Sequence, residues 1–364
     1  MVRALVREFV IYMKYMFVVP TLDNGGAERM VARISNALIE KCVEVTIVID
    51  YKTQSAYYIN PKVKIISFID GERSDYDKLG TFRKIKILRS IIRKEDPNII
   101  VPFLDQVCVN SLLSAAFTKY FSRVFVTIRN NPKKGNKKSR FLRDFFYRFS
   151  KHCIVQNEGQ KNYFYSHFRK KIVVIPNFLE NEAFKNHNFS SLPQFRFVAI
   201  GRLNYQKNYS LMINGIKNSF FYNSIYLDIY GQGEDKELIR TLIGNDEHFR
   251  LCGFTADINS VLNEHDFFLL TSRYEGMPNS LAEAMAAGLI CISSDCEYGI
   301  TDIMGDDNVL LFENENLDEL TKIINYSCEN YVQLQNKAKE LSKRLKNKYS
   351  KEVVIEKWLE LISC

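Results

Sequence analysis

Phe195-Arg-Phe-Val-Ala-Ile-Gly-Arg-Leu-Asn-Tyr-Gln-Lys-Asn208 reads as a strand, a turn and the start of a helix, and Ile225-Tyr-Leu-Asp-Ile-Tyr230 follows as a second strand. Short β-rich apolar runs separated by helix-length stretches predict parallel strands joined by crossover helices. Downstream the pattern continues through Arg250–Cys252, Phe267–Leu270, Leu289–Ile292 and Val309–Phe312. Upstream the same alternation runs through Tyr15–Val19, Val45–Ile49, Val63–Ile66, Ile99–Val101, Val124–Ile128, Cys153–Val155 and Ile172–Ile175. Helical stretches such as Ala27–Lys41, Phe82–Lys94 and Val107–Tyr120 lie between these runs. From Pro176 to Pro193 the chain is irregular and polar, and then the alternation restarts. The prediction is an α/β protein with two doubly wound, parallel-sheet domains facing a cleft. The expected boundaries are residues 1–176, a linker at 177–193, a second domain at 194–348 and a last helix at 349–364 packing back toward the first domain.

Composition agrees with this reading. A chain of 364 residues fits two domains, and 46% hydrophobic with 25% charged residues is globular usage. No apolar run approaches the ~20 residues of a membrane span. The N-terminus lacks the long apolar core and small-residue cleavage site of a signal peptide. The eight cysteines form no CxxC pair and are read as reduced thiols in a cytosolic protein. With five histidines and no metal-ligand spacing, no metal site is expected. Residues 1–12 precede the first strand and are read as a short extra helix or as an extension upstream of a start at Met13.

Charge is uneven. Residues 1–190 hold 33 Lys and Arg against 17 Asp and Glu, a balance of +16, and the remainder balances to −8. The densest basic stretch, Arg129 to Lys151, has nine cations and one acid, Asp144. Within it Phe141, Phe145 and Phe149 recur every four residues, so a helix there would carry an aromatic stripe beside basic residues. The stripe could face the core, lie on an anionic membrane, or border a nucleic acid; no nucleic-acid-binding motif accompanies it.

In open α/β sheets, ligands bind where strands end and helices begin. Four such turns carry candidate chemistry. Pro20-Thr-Leu-Asp-Asn-Gly-Gly-Ala-Glu-Arg29 places Gly25 and Gly26 at a helix start, either to admit an anion or as a simple tight turn. It is not GxGxxG, so the dinucleotide fingerprint is absent. Gly201-Arg-Leu-Asn-Tyr-Gln-Lys-Asn208 places Arg202 and Lys207 beside a strand end, as diphosphate ligands or surface charges. Tyr230-Gly-Gln-Gly-Glu-Asp235 contains GxG, but Glu234 and Asp235 at the helix start would repel a phosphate and cap the helix, leaving Gly231 and Gly233 to shape a wall. Thr271-Ser-Arg-Tyr-Glu-Gly-Met-Pro-Asn-Ser-Leu-Ala-Glu283 offers Glu275 and Glu283 as acceptors for sugar hydroxyls, with Ser280-x-x-Glu283 also readable as a capping box. Asp75-Tyr-Asp77 has the DxD form of a metal site but follows no apolar strand.

Taken in order, Gly25-Gly-Ala-Glu28, Gly201-Arg-Leu-x3-Lys207 and Glu275-x7-Glu283 resemble the family 4 retaining glycosyltransferases of the GT-B fold, from about Lys14 to the C-terminus. The resemblance implies that Arg202 and Lys207 hold a donor diphosphate without a metal, so no cofactor is expected. It implies that Glu283 meets the nucleotide ribose and that Glu275 meets the donor sugar. Gly276, Met277, Pro278 and Asn279 would surround sugar and phosphate, with Asn279 and Ser280 N–H groups facing the diphosphate. Gly25 and Gly26 would approach the pyrophosphate, and Cys252-Gly253-Phe254 would border the base. Many family members place a histidine after the fifth strand; here Arg129 and Asn130 stand there, so Arg129 is a candidate catalytic cation.

The expected reaction is transfer of a sugar, with an N-acetylhexosamine suggested by the Pro-Asn-Ser form of the glutamate motif, from a UDP-sugar with retention. The expected acceptor is a polyprenyl-diphosphate-linked saccharide of capsule, O-antigen or other surface-polysaccharide synthesis. The expected location is cytoplasmic, peripheral on the inner membrane through the Arg129–Lys151 region, with no nucleic-acid partner. A nucleotide-sugar epimerase of the same fold, a non-catalytic partner subunit and a basic nucleic-acid- or membrane-binding protein are the competing readings.

Overall fold

The computed structural model describes residues 13–23, 25–165, 172–184, 194–305 and 310–361. The chain divides into two compact units, Met1–Asn177 with Val354–Cys364, and Phe178–Val353. In the first unit, β1 (Lys14–Val18), β2 (Glu44–Tyr51), β3 (Lys64–Ile69) and β4 (Ile99–Pro102) form a sheet of order β3-β2-β1-β4. Then β5 (Phe125–Thr127), β6 (His152–Val155) and β7 (Ile172–Val174) form a second sheet in that order. A parallel bridge between Ile100 and Val124 joins the two. In the second unit, β8 (Phe195–Ile200), β9 (Ile225–Tyr230), β10 (Phe249–Gly253), β11 (Phe267–Leu270), β12 (Ile290–Asp295) and β13 (Leu311–Glu313) run in the order β10-β9-β8-β11-β12-β13. All strand pairings within these sheets are parallel.

Each unit therefore repeats one winding rule. The first, second and third strands step outward, and the fourth returns to the other side of the first. Crossovers diverge between the first and fourth strands, and a crevice opens at their carboxyl ends. The expected strands form within a few residues of their predicted bounds. Burial explains why apolar runs marked them so well. β4, β6 and β11 are buried at every residue, as central parallel strands covered on both faces must be, whereas the edge strand β3 is half-buried. Phe197 on β8 pairs with Phe267 on β11, and their rings stack 4.4 Å apart inside the second core.

Several expectations need correction. The expected linker begins as structure: Phe178, Leu179 and Ala183 are buried, and the Leu179 N–H donates to the Tyr349 carbonyl. Residues 185–193, residues 1–12 and Val309 lie outside the described residues. Cys42 is exposed, whereas Cys108, Cys153, Cys291, Cys296 and Cys328 are buried free thiols. Asp75 closes a capping box with Glu72 and pairs with Lys78, and Asp77 pairs with Arg73. Both acids of the DxD motif are thus engaged within their own short segment.

The basic stretch holds the largest change. Its helix, Lys137–Tyr147, buries Arg143 and Tyr147. Arg143 donates to Asp144, Asp105 and the Pro132 carbonyl, and stacks on Phe164. Phe141, Phe145 and Phe149 face outward, so the reading of a core-packed aromatic stripe is overturned.

The final helix, Lys351–Glu360, carries the chain's single tryptophan into the first unit. Trp358 is fully buried with its ring edge on Phe17 at 5.9 Å, and the Tyr15 hydroxyl donates to its carbonyl at 2.5 Å. Trp358→Ala should lower unfolding stability by about 3–5 kcal/mol, and Trp358→Phe should recover most of it. Urea titration followed by circular dichroism measures both; an alanine variant as stable as wild type would show that this helix is not part of the first core.

Candidate active site

The carboxyl ends of β8 and β11 adjoin at the switch point of the second unit. After β8 the chain passes through Gly201, Arg202 and Leu203 into a tight turn, Tyr205–Lys207, and then into the helix Tyr209–Lys217. After β11 it passes through Thr271 to Pro278 into the helix Asn279–Ala287. The two loops are bonded to each other along their length. Gln206 Nε2 donates to the Tyr274 carbonyl at 2.8 Å, and the Arg273 N–H donates to the Gln206 carbonyl at 2.8 Å. Thr271 Oγ1 donates to the Lys207 and Asn208 carbonyls at 2.9 and 3.0 Å.

At the centre, Lys207 Nζ donates to Glu275 Oε1 at 2.7 Å, and Ser272 Oγ donates to the same oxygen at 2.7 Å. Both charged side chains are largely buried, at 14% and 8% exposure. Glu275 Oε2 has no partner among the described residues. Ser272 is itself held by Ser294 of β12, whose hydroxyl donates to the Ser272 carbonyl at 2.7 Å. A Cβ at Gly201 would stand 2.9 Å from Lys207 Cε, so glycine there leaves room for the lysine stem. Arg202, two residues past the strand end, is exposed.

The loop after β9 runs against the loop after β8. Leu203 N–H donates to the Gln232 carbonyl and Asp235 N–H to the Leu203 carbonyl. A Cβ at Gly231 would lie 1.9 Å from the Gly201 oxygen, and one at Gly233 would lie 2.0 Å from the Leu203 oxygen. These glycines exist for that backbone approach. Asp235 stands at the N-cap of the next helix, but its side chain makes no cap hydrogen bond, which corrects the capping expectation. Phe254 follows Gly253 at the end of β10 and is exposed; Cys252 is half-buried.

The helix Asn279–Ala287 starts after Pro278 with no side-chain cap. Ser280 is its second residue, so Ser280-x-x-Glu283 is not a capping box. Glu283 lies one turn inside the helix at 4% exposure, a buried carboxylate whose place is not explained by helix initiation. Gly276, Met277 and Pro278 are buried, and Asn279 and Ser280 supply N–H groups in the uncapped first turn.

In the first unit, Gly25 is the N-cap of the helix Gly26–Glu40, in extended backbone. A Cβ there would meet the Glu28 carboxylate at 2.0 Å, so the protein's own anion already lies over this helix start. At the end of β4, Leu104 holds φ +75°, a strained value for a residue with a side chain. Arg129 follows β5. Its Nη1 donates to Asn177 Oδ1 at 3.2 Å, and its guanidinium lies 4.4 Å from the Phe103 ring centre and 5.8 Å from that of Trp358. Nε and Nη2 are out of solvent without a hydrogen-bond partner. Burial pulls this guanidinium below its ordinary range, to about 9. Asn130 accepts from Gln160 through its carbonyl and from the Asn131 N–H through its side chain.

The second unit therefore brings Lys207 and Glu275 together and sets Arg202 and Glu283 in the same strand-end region. Gly25, Gly26 and Arg129 belong to the first unit. Sequence reasoning missed Ser272, Thr271 and Gln206, which orient the pair; the only signal was hydroxyl and amide residues directly after a strand or before a lysine.

Residues 24–182 match the family description Glycosyltransferase Family 4, and residues 194–330 match Glycosyl transferases group 1. The chain is 24% identical over 349 residues to the amylovoran biosynthesis glycosyltransferase AmsD of Erwinia amylovora, covering 94% of this chain and 97% of that one. It is 25% identical over 364 residues to the GalNAc-α-(1→4)-GalNAc-α-(1→3)-diNAcBac-PP-undecaprenol α-1,4-N-acetyl-D-galactosaminyltransferase of Campylobacter jejuni, covering 96% and 98%. Among solved structures, Anabaena HepE in complex with UDP and glucose superposes with a TM-score of 0.78 at 15% identity, covering 97% of this chain and all of that one. With parallel sheets in Rossmann-like order in both units and each half matched by its own family description, the chain belongs to the family 4 glycosyltransferases and has the GT-B fold.

Proposed function

We propose that this glycosyltransferase moves a sugar from a UDP-sugar to a polyprenyl-diphosphate-linked saccharide, with retention at the anomeric carbon and without a metal. The observation that carries the donor reading is the Lys207–Glu275 pair, which leaves Glu275 Oε2 without a partner among the described residues and shares the loop after β8 with the exposed Arg202. A diphosphate needs cations, and a sugar diol needs a carboxylate acceptor; this strand end supplies both. In this reading Arg202 and Lys207 bind the diphosphate, and the first-turn N–H groups of Asn279 and Ser280 add donors. Glu275 accepts from the sugar hydroxyls and Glu283 from the ribose. Gly276, Met277 and Pro278 enclose sugar and phosphate, Phe254 borders the base, and Gly25 and Gly26 are assigned to the pyrophosphate.

The anomeric C–O bond breaks with its electron pair going to UDP. The acceptor hydroxyl oxygen bonds to the anomeric carbon on the same face, and its proton passes to the departing phosphate oxygen. Arg202 and Lys207 stabilise charge as it develops there, which is where fixed cations contribute most. Excluding water protects the donor from hydrolysis. The UDP in the Anabaena complex and the undecaprenyl-diphosphate saccharide in the Campylobacter enzyme's name support this donor and acceptor class. The N-acetylhexosamine reading has the same support from that enzyme's name. Peripheral attachment at the cytoplasmic face fits such an acceptor; no helix among the described residues is long and apolar enough to cross a membrane.

UDP release from a panel of UDP-hexoses and UDP-N-acetylhexosamines, with and without undecaprenyl-diphosphate saccharides, tests the assignment. Acceptor-dependent release from one donor is expected. Arg202→Ala and Lys207→Ala should each cut turnover by about 10²-fold or more; near-normal turnover in both would refute the donor site.

Arg129 generates a separate expectation. In this proposal it meets a phosphate of donor or acceptor, so Arg129→Met should reduce transfer. It should also raise unfolding stability by about 1–3 kcal/mol, because Nε and Nη2 of the buried guanidinium have no hydrogen-bond partner. The folded state binds this proton more weakly than the unfolded chain does. The cost is therefore fully present at neutral pH. A less stable methionine variant would show that stacking on Phe103 and Trp358 outweighs the missing hydrogen bonds.

A further inference from the structure

Every residue of the tight turn Tyr205–Lys207 is bonded to the loop after β11. Thr271 Oγ1 donates to the Lys207 carbonyl, the Arg273 N–H to the Gln206 carbonyl, and Arg273 Nη1 to the Tyr205 carbonyl. Three successive carbonyls of the turn therefore accept from two residues of one neighbouring loop. The Arg273 guanidinium also covers the Tyr205 ring, 4.0 Å from its centre. Tyr205 is 65% exposed, so this stack, not burial, places its ring.

Arg273 is held in turn from a third loop of the same unit. β13 ends at Glu313, and the helix Leu317–Glu329 begins after its N-cap, Asn316. Between them, Asn314 Nδ2 donates to the Arg273 carbonyl at 2.8 Å, and Glu315 Oε1 accepts from Arg273 Nε at 2.8 Å. Two adjacent residues thus grip Arg273 at its main chain and at its side chain. Glu315 holds φ +62°, the left-handed region that disfavours any side chain. Glycine would adopt that backbone without strain, but glycine cannot reach Arg273. The strained turn is braced: the Asn316 N–H donates to the Glu313 carbonyl at 3.0 Å, and Asn316 Nδ2 donates to the Glu313 carboxylate at 2.9 Å.

Fold stability does not account for this arrangement. The Glu315 side chain is 57% exposed and that of Arg273 21%, and an ion pair so open to water adds little to folding. What the pair supplies is geometry. The planar guanidinium is fixed by Glu315 at one edge, by the Tyr205 carbonyl at another and by the Tyr205 ring on its face. The turn it holds ends at Lys207, whose ammonium meets Glu275.

We propose that Glu315 and Arg273 form a positioning clamp, which sets the cationic turn and through it the Lys207 ammonium for the phosphates of a nucleoside diphosphate. Both act through the Tyr205 and Gln206 carbonyls and are positioning residues. The inference rests on the donor reading of Lys207 given above and adds two residues that reading does not use.

Equilibrium binding of UDP to the full chain, with uridine as a competitor, tests the clamp, because only UDP carries the phosphates. Glu315→Gly removes the carboxylate and relieves the left-handed backbone. Its melting midpoint should be unchanged or higher. It should nevertheless weaken UDP by about tenfold and uridine by less than about twofold. Glu315→Gln keeps an acceptor at the same reach and should stay within about twofold of wild type for both ligands. Arg273→Met removes both guanidinium bonds and should weaken UDP at least as much as Glu315→Gly. In a Lys207→Ala background, Glu315→Gly should add less than about twofold, since its effect passes through Lys207. Three results would overturn the clamp. In the first, Glu315→Gly and Arg273→Met bind UDP like wild type while Lys207→Ala does not. In the second, Glu315→Gly weakens uridine as much as UDP, which marks a general loss of structure. In the third, the full effect of Glu315→Gly survives without Lys207. A Lys207→Ala chain that binds UDP like wild type would instead refute the donor reading, and the clamp with it.

Discussion

The bond between Lys207 and Glu275 organises the second unit's strand ends. Two loops from neighbouring strands, β8 and β11, meet in one ion pair that is mostly removed from water. Burying two charges costs several kcal/mol each before their attraction returns anything, so a pair of this kind is weak evidence for stability. What it does provide is position. Lys207 is fixed through its ammonium and, by way of Thr271, through its carbonyl. Glu275 is fixed through one oxygen by both Lys207 and Ser272. A lysine so placed can still donate to a phosphate, and the carboxylate keeps its second oxygen. The desolvation is tolerable because the surrounding polar groups are satisfied in turn: Ser272 by Ser294, and Tyr274 by Gln206.

Glycine does the complementary work. At Gly231 and Gly233 the β9 loop touches the backbone that carries Arg202 and Leu203. Any side chain there would push the two loops apart and move the base of the cationic turn. The GxG at this turn is therefore a packing device. Asp235 stands at the N-cap of the following helix without a side-chain cap hydrogen bond, so it does not play the capping role expected of it.

How much could be read from sequence follows from which forces are local. Strands were legible because central parallel strands are buried on both faces and show as unbroken apolar runs, as in Phe267–Leu270. The candidate residues of the β8 and β11 loops were legible through their resemblance to a family, not through spacing. Ser280-x-x-Glu283 has the spacing of a capping box, yet the helix begins at Asn279, and a frame of one residue removes the motif. Thr271 and Gln206 were invisible because their partners lie 64 and 68 residues away, and no local pattern encodes a bond to a distant carbonyl; Ser272 bonds the Glu275 carboxylate only 3 residues on, a local contact that the motif does not mark. The aromatic stripe failed for a different reason. Period alone gives a stripe but not its direction. Here Arg143 and Tyr147 won the inward face because Asp105, Asp144 and the Pro132 and Thr127 carbonyls satisfy them there.

That outcome bears on the charge asymmetry of the chain. A surplus of +16 over residues 1–190 opposes compaction through self-repulsion, and nothing in a parallel α/β fold asks for it. The first unit accepts a second electrostatic cost at Arg129, a guanidinium whose Nε and Nη2 are out of solvent without a hydrogen-bond partner beside Phe103 and Trp358. A net surplus, a buried cation without a counterion and an exposed aromatic ridge all lower the stability or solubility of the isolated unit. In the function proposed above, an anionic acceptor would offset the two charge terms, whereas the ridge calls for apolar cover.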